Sequence, residues 1–170
     1  MKQIIAITVL LLAGMAARAD QGGGALNVSA TVDGSISLLF VSDPSGVSLT
    51  GSGTSAAAAG FGTLQGFGSS PPLGITITRT SSEFSPSTPF YLKVVKANSS
   101  SASCTVTADI GASDGNVWKI DHLNLNTGTK TITSSGTYNA NLPFTLKVNI
   151  PFSRAAGAIN NSLNFTATAN

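Results

Sequence analysis

The sequence predicts an all-β chain, an antiparallel two-sheet sandwich behind a cleavable signal peptide. Three observations carry this: apolar and polar residues alternate in nearly every ordered stretch, turn residues separate the stretches, and an apolar N-terminal leader ends at small residues. Of 170 residues, 9% are charged, and the chain has 18 glycines, 7 prolines and 1 cysteine. One cysteine excludes an internal disulfide framework, and one histidine beside it excludes a Cys/His zinc centre. So sparse a charge also excludes a highly charged disordered tail.

The leader comes first. Met1-Lys2-Gln3 is a short basic start, Ile4 to Ala16 is apolar, and Ala17-Arg18-Ala19 supplies small residues where a signal peptidase needs them. Cleavage between Ala19 and Asp20 divides the chain into a signal peptide, 1–19, and a single β-sandwich domain, 20–170. The apolar run is too short to span a bilayer comfortably and no second one follows, so no integral membrane segment is expected after cleavage. The expected location is the periplasm, the cell surface or the extracellular medium.

Loss of Lys2 and Arg18 leaves seven cations (Arg79, Lys93, Lys96, Lys119, Lys130, Lys147 and Arg154) against seven carboxylates. They are scattered singly, which argues against nucleic acid or an anionic membrane as partner. An exterior of Ser, Thr and Asn lacks the like-charge repulsion that keeps domains apart, and so suits self-association.

The strands follow in order. Leu26, Val28, Ala30 and Val32 alternate with Asn27, Ser29 and Thr31, and Asp33-Gly34 reads as a hairpin turn into Ile36, Leu38 and Phe40. Asp43-Pro44-Ser45-Gly46 is a turn, with Val47 and Leu49 as a short edge strand after it. Leu73, Ile75 and Ile77 form one face, then Phe90, Leu92 and Val94 another. Cys104, Val106, Ala108 and Ile110 alternate with hydroxyls and Asp109. Short candidates lie at Val117 to Ile120 and Thr129 to Thr133, next to the turns Asp114-Gly115 and Thr127-Gly128. Leu142, Phe144, Leu146, Val148 and Ile150 make the longest run, stopped by Pro151. Leu163, Phe165, Ala167 and Ala169 close the chain. One buried face per strand fits a two-sheet sandwich, with a closed barrel as the rival. Ala56 to Ala59 is too short to nucleate a helix.

Between Asp43 and Pro72 a small echo stands out: Gly60-Phe61-Gly62 and Gly66-Phe67-Gly68. Phe61 and Phe67 either plug the end of the sandwich or form a contact loop that docks on a neighbour or ligand.

Ala59 to Leu64 (AGFGTL), the strand Ile75 to Thr78 (ITIT) and the ending Gly136 to Asn170 resemble secreted pilin-like and fimbrial β-sandwich domains of Gram-negative bacteria, those of the spore-coat-protein-U type and their relatives. The resemblance covers about half of the mature chain. It implies an immunoglobulin-like sandwich, assembly with copies of itself or with other pilus subunits, and help from a periplasmic chaperone. In such an assembly a groove left by a missing strand is filled by an alternating segment of the next subunit. Leu26, Val28, Ala30 and Val32, behind the flexible Gly22-Gly23-Gly24, have the form of such a donor; the alternative is that they pair within their own chain. Cys104 without a partner, and an ending of Thr168-Ala169-Asn170 without an aromatic residue, depart from many members.

Catalytic chemistry has little to stand on. His122 follows Asp121, but no nucleophile elbow is present. Asp109, Asp114 and Asp121 surround a turn with too few oxygens for calcium. No enzyme activity, cofactor or metal is expected. Trp118 and Tyr138 are the candidates for sugar stacking, although a lone tryptophan in a sandwich is more often a core anchor. The expectation is a structural or adhesive surface protein, with a monomeric glycan- or protein-binding module as the alternative.

Overall fold

Alternation becomes strand wherever one face finds a core to cover. The computed structural model describes residues 29–68 and 70–170; the signal segment 1–19, Leu26 and Val28 lie outside the described residues. The strands are β1 (Ser35–Ser42), β2 (Thr76–Arg79), β3 (Glu83–Ala97), β4 (Cys104–Ile110), β5 (Val117–Ile120), β6 (Leu123–Asn124), β7 (Lys130–Gly136), β8 (Asn141–Pro151) and β9 (Leu163–Ala169). They form two antiparallel sheets. One has the order β1-β3-β8-β5-β6 with β2 also on β3, and the other has β7-β4-β9. A 3-10 turn, Leu125–Thr127, follows β6.

The two sheets share a core, and a smaller cluster of Trp118, Val148 and Ile150 adjoins it. Leu92 and Val94 of β3 and Ile120 of β5 join Cys104 and Val106 of β4, all fully buried. The faces predicted for β3, β4, β8 and β9 are the faces that point inward. Burial of the Cys104 thiol pushes its pKa up, and its Sγ–H donates to the Gly136 carbonyl.

Val47 and Leu49 form no edge strand and are buried instead, and three further features depart from the sequence reading. First, Ser29 to Gly34 form no strand and Val32 is 69% exposed, so Asp33-Gly34 is not a hairpin turn. β1 takes β3 as its partner instead, with Ser35 opposite Ala97 and Gly34 against Asn98 and Ser99. Second, Leu73 is 97% exposed, because the turn Pro72-Leu73-Gly74-Ile75, closed by the Ile75 N–H donating to the Pro72 carbonyl at 3.1 Å, swings it outward as Ile75 enters the core. Third, β3 runs through Pro86 and Pro89, residues that normally mark a strand's limit. Pro89 falls where β3 passes from β2, paired at positions 84–87, to β1, paired at positions 90–97. A missing N–H is tolerated at such a gap in the ladder.

Gly46 shows how tightly this junction is packed. A Cβ there would land on the Pro89 carbonyl oxygen and crowd Thr88 Oγ1, which accepts the Val47 N–H at 2.9 Å. Gly74 crosses the same point with φ 78°, its own Cβ position occupied by Gly46 backbone. Gly46→Ala is therefore expected to lower stability by about 2 kcal/mol through overpacking against main chain that cannot rotate away. Urea unfolding of the variant checks this.

Candidate functional site

The second sheet ends at β9. Among the described residues β9 pairs with β4 alone, so its other edge carries unpaired backbone donors and acceptors. Beside that edge a groove of about 1160 Å3 opens between the sheets. Its floor comes from the first sheet: Phe90 of β3, Ile120 of β5, and Leu146 and Val148 of β8. Leu163 and Phe165 of β9 form one wall, while Phe61, Leu64 and the connection Arg154 to Ser162 form the end. Phe40 of β1 narrows it, meeting Phe165 edge-on with ring centroids 5.1 Å apart. Its floor and the β9 wall are apolar because those side chains sit on inward positions of period-two strands, while the loop end adds the polar Thr63, Arg154, Asn160 and Asn161.

The predicted contact loop separates into two different residues. Phe61 is half-buried and packs on the core beside Leu64. Phe67 is 84% exposed and stacks on Phe152 with centroids 4.6 Å apart, and Phe152 in turn stacks on Phe84. Arg79 holds this loop in place, with Nε and Nη2 each donating at 2.6 Å to the carbonyls of Gly66 and Gly68.

The candidate stacking aromatics are both buried. Trp118 is 5% exposed, contributes to the groove floor, and donates its indole N–H to the Asp114 carboxylate at 3.1 Å. Its main-chain N–H goes to Asn126 Oδ1 at 2.8 Å. Tyr138 is 9% exposed, donates its hydroxyl to the Ser103 carbonyl at 2.9 Å, and carries Lys96 Nζ 4.8 Å above its ring. Trp118 lies in β5 and Tyr138 in the connection from β7 to β8, and neither ring offers an open platform.

Of the donor residues, Ala30 and Val32 are exposed and outside any strand, while Leu26 and Val28 are not described. His122 is exposed in the β5–β6 turn. The three turn-region carboxylates have separate tasks: Asp109 takes Thr129 and Asn164, Asp114 takes Trp118, and Asp121 takes the Thr145 N–H. Among the described residues no group of three His, Cys, Asp or Glu is placed to hold a metal ion.

Burial alone would raise the Asp114 pKa, but hydrogen bonds from Asn116 and the Trp118 indole outweigh it and hold the carboxyl below its ordinary value. A depressed carboxylate stabilises the fold above its unfolded pKa, and that contribution is lost as pH falls through the folded value. Trp118→Phe keeps the ring and removes the donor, so it should cost about 1 kcal/mol at neutral pH. The gap from the parent should close as pH falls through the lowered folded pKa of Asp114 and the carboxylate protonates in both proteins. Urea unfolding across pH checks this.

Two side chains with buried, unpartnered polar atoms carried no local signal, one in the groove and one outside its lining. Arg154 lines the groove with its Nε buried and unpartnered. Asn116, 1% exposed, has neither side-chain polar atom hydrogen-bonded. No family model, curated protein or solved structure matches this chain.

Proposed function

We propose that the chain is a secreted structural or adhesive surface protein, a pilin-like subunit with an immunoglobulin-like sandwich that assembles by strand exchange. One observation carries this reading: a groove with an apolar floor lies against an edge of β9 that is unpaired among the described residues, and Ser29 to Val32, the described part of an alternating segment, lie outside the strands. A free edge over apolar surface is a template for one more strand. Leu26, Val28, Ala30 and Val32 of a second copy supply apolar knobs at the spacing such a strand needs. In this reading residues 1–19 are removed on export, residues 20–170 form the subunit, and a periplasmic chaperone covers the groove until a neighbour arrives. It needs neither catalysis nor cofactor. The expected surroundings are the periplasm and surface of a Gram-negative cell.

Size-exclusion chromatography and electron microscopy of the protein from its native cells test the proposal. Filaments or ordered oligomers are expected; a strictly monomeric, freely diffusing protein would sink it. The exposed ring of Phe67 favours a second reading, a monomeric module for glycan or protein. A glycan-array screen separates the two, since saturable binding by monomer that disappears in Phe67→Ala belongs to the module.

A further inference from the structure

Arg154 sits in the groove wall at the Leu163 end of β9. Its hydrogen bonds go to main-chain carbonyls, Nη1 to Asp114 at 3.1 Å and Nη2 to Ala158 at 3.4 Å, while Nε is buried with no partner. The Asp114 carboxylate is engaged by the Trp118 indole and the Asn116 N–H instead. A guanidinium left with backbone acceptors beside an apolar groove fits an occupant that is apolar along its length and anionic at one end.

The segment Leu26 to Val32 is followed directly by Asp33, which is exposed. In its own chain Asp33 lies at the wrong end of the molecule. Ser35 pairs with Ala97, and Gly34 rests on Asn98 and Ser99. That is the end where Ala169 pairs with Cys104, whereas Leu163 pairs with Ile110 at the other. Seven residues of β9 separate the two ends, about 20 Å at strand rise. Asp33 therefore reaches Arg154 only in another copy.

Resting on the strand-exchange reading, we infer that Arg154 binds the Asp33 carboxylate of a second copy and so sets the register of the inserted strand. With Asp33 at the Arg154 end, the segment runs antiparallel to β9. Val32 then stands opposite Leu163, Ala30 opposite Phe165, Val28 opposite Ala167, and Leu26 opposite Ala169. Large meets small at the Phe165 position, and the narrow second half of β9 takes the larger knobs. Asn27, Ser29 and Thr31 fall on the outer face with Thr168, Thr166 and Asn164, polar beside polar. A segment folded back onto its own β9 at Asp33-Gly34 would run parallel. That arrangement sets Val28 against Phe165 and Ala30 against Ala167, crowding one layer and emptying the next. Insertion parts Phe40 from Phe165, which touch but belong to different sheets. The contact joins opposite ends of two copies, so it is heterologous and propagates as an open chain.

The test uses the full-length exported protein, with a reporter pair, Asn27→Cys and Thr168→Cys, that oxidises between copies when the register is as stated. Inter-copy cross-linking is expected. Asp33→Arg should speed subunit dissociation about tenfold and Asp33→Glu by less than about twofold, the difference shrinking at high salt. Asp33→Arg combined with Arg154→Glu should bring the rate back toward that of the parent. Cross-linking with a dissociation rate unchanged by Asp33→Arg would overturn the Arg154 assignment while strand exchange stands. A folded double variant that stays as fast as Asp33→Arg would do the same. A parent protein that neither assembles nor cross-links would remove strand exchange itself, and this inference with it.

Discussion

Leu92→Ala is expected to lower the unfolding free energy by about 4 kcal/mol, among the larger losses a single truncation in this chain can produce. Leu92 is fully buried in β3, which lies between β1 and β8 in the larger sheet. Phe40 and Leu142 are its direct cross-strand neighbours. The second sheet covers it from above through Cys104 and Val106. Paired on both sides and covered by the other sheet, the site cannot collapse onto the missing methyls, so the lost transfer energy and the cavity add. Leu73→Ala supplies the contrast. That side chain is 97% exposed, and its removal should stay within about 0.5 kcal/mol of the parent. Urea titrations of both variants check the pair, and equal losses would mean that the core is not where the two sheets meet.

Those two leucines also show what the sequence could tell. Each begins or sits in an alternating run, and period two alone treats them alike. Phe90-Leu92-Val94 and Cys104-Val106-Ala108 were readable because each run is long enough to cover a core by itself. Leu73 was not, because Pro71-Pro72 and the positive φ of Gly74 set the chain direction just before β2. The run at Leu26 to Val32 has the same local pattern as β9, yet its described residues, Ser29 to Val32, form no strand. Alternation makes a segment fit to pair and says nothing of whether an edge is available. The Gly-Phe-Gly echo makes the point again. Its two halves are locally identical, and Phe61 turns to the core while Phe67 turns outward, a choice made by Phe152 from far along the chain. The groove was legible only in outline for the same reason. Its walls come from β1, β3, β5, β8 and β9 together, and no window of sequence contains them. Arg154 looked like one scattered cation among seven until the fold set it beside apolar walls.

The largest functional effect is expected from Ala30→Asp, with Ser29→Asp as its neighbour and control. Both positions are exposed and outside any strand, so neither substitution should move the thermal midpoint of the isolated subunit. Their fates differ once the segment is inserted. Residue 30 then faces inward against Phe165, and a carboxylate there would leave water for an apolar groove without a counter-charge. Assembly should weaken by about a thousandfold or more, equivalent to about 4 kcal/mol. Residue 29 faces outward beside Thr166, where a carboxylate keeps its hydration, and assembly should change by less than about threefold. Sedimentation of the two variants at matched concentration reads the difference. A flexible tether that merely holds copies near one another would treat adjacent residues alike. Only a strand with a wet face and a dry face separates position 29 from position 30, so equal behaviour of the two variants would rule out insertion whatever the oligomeric state.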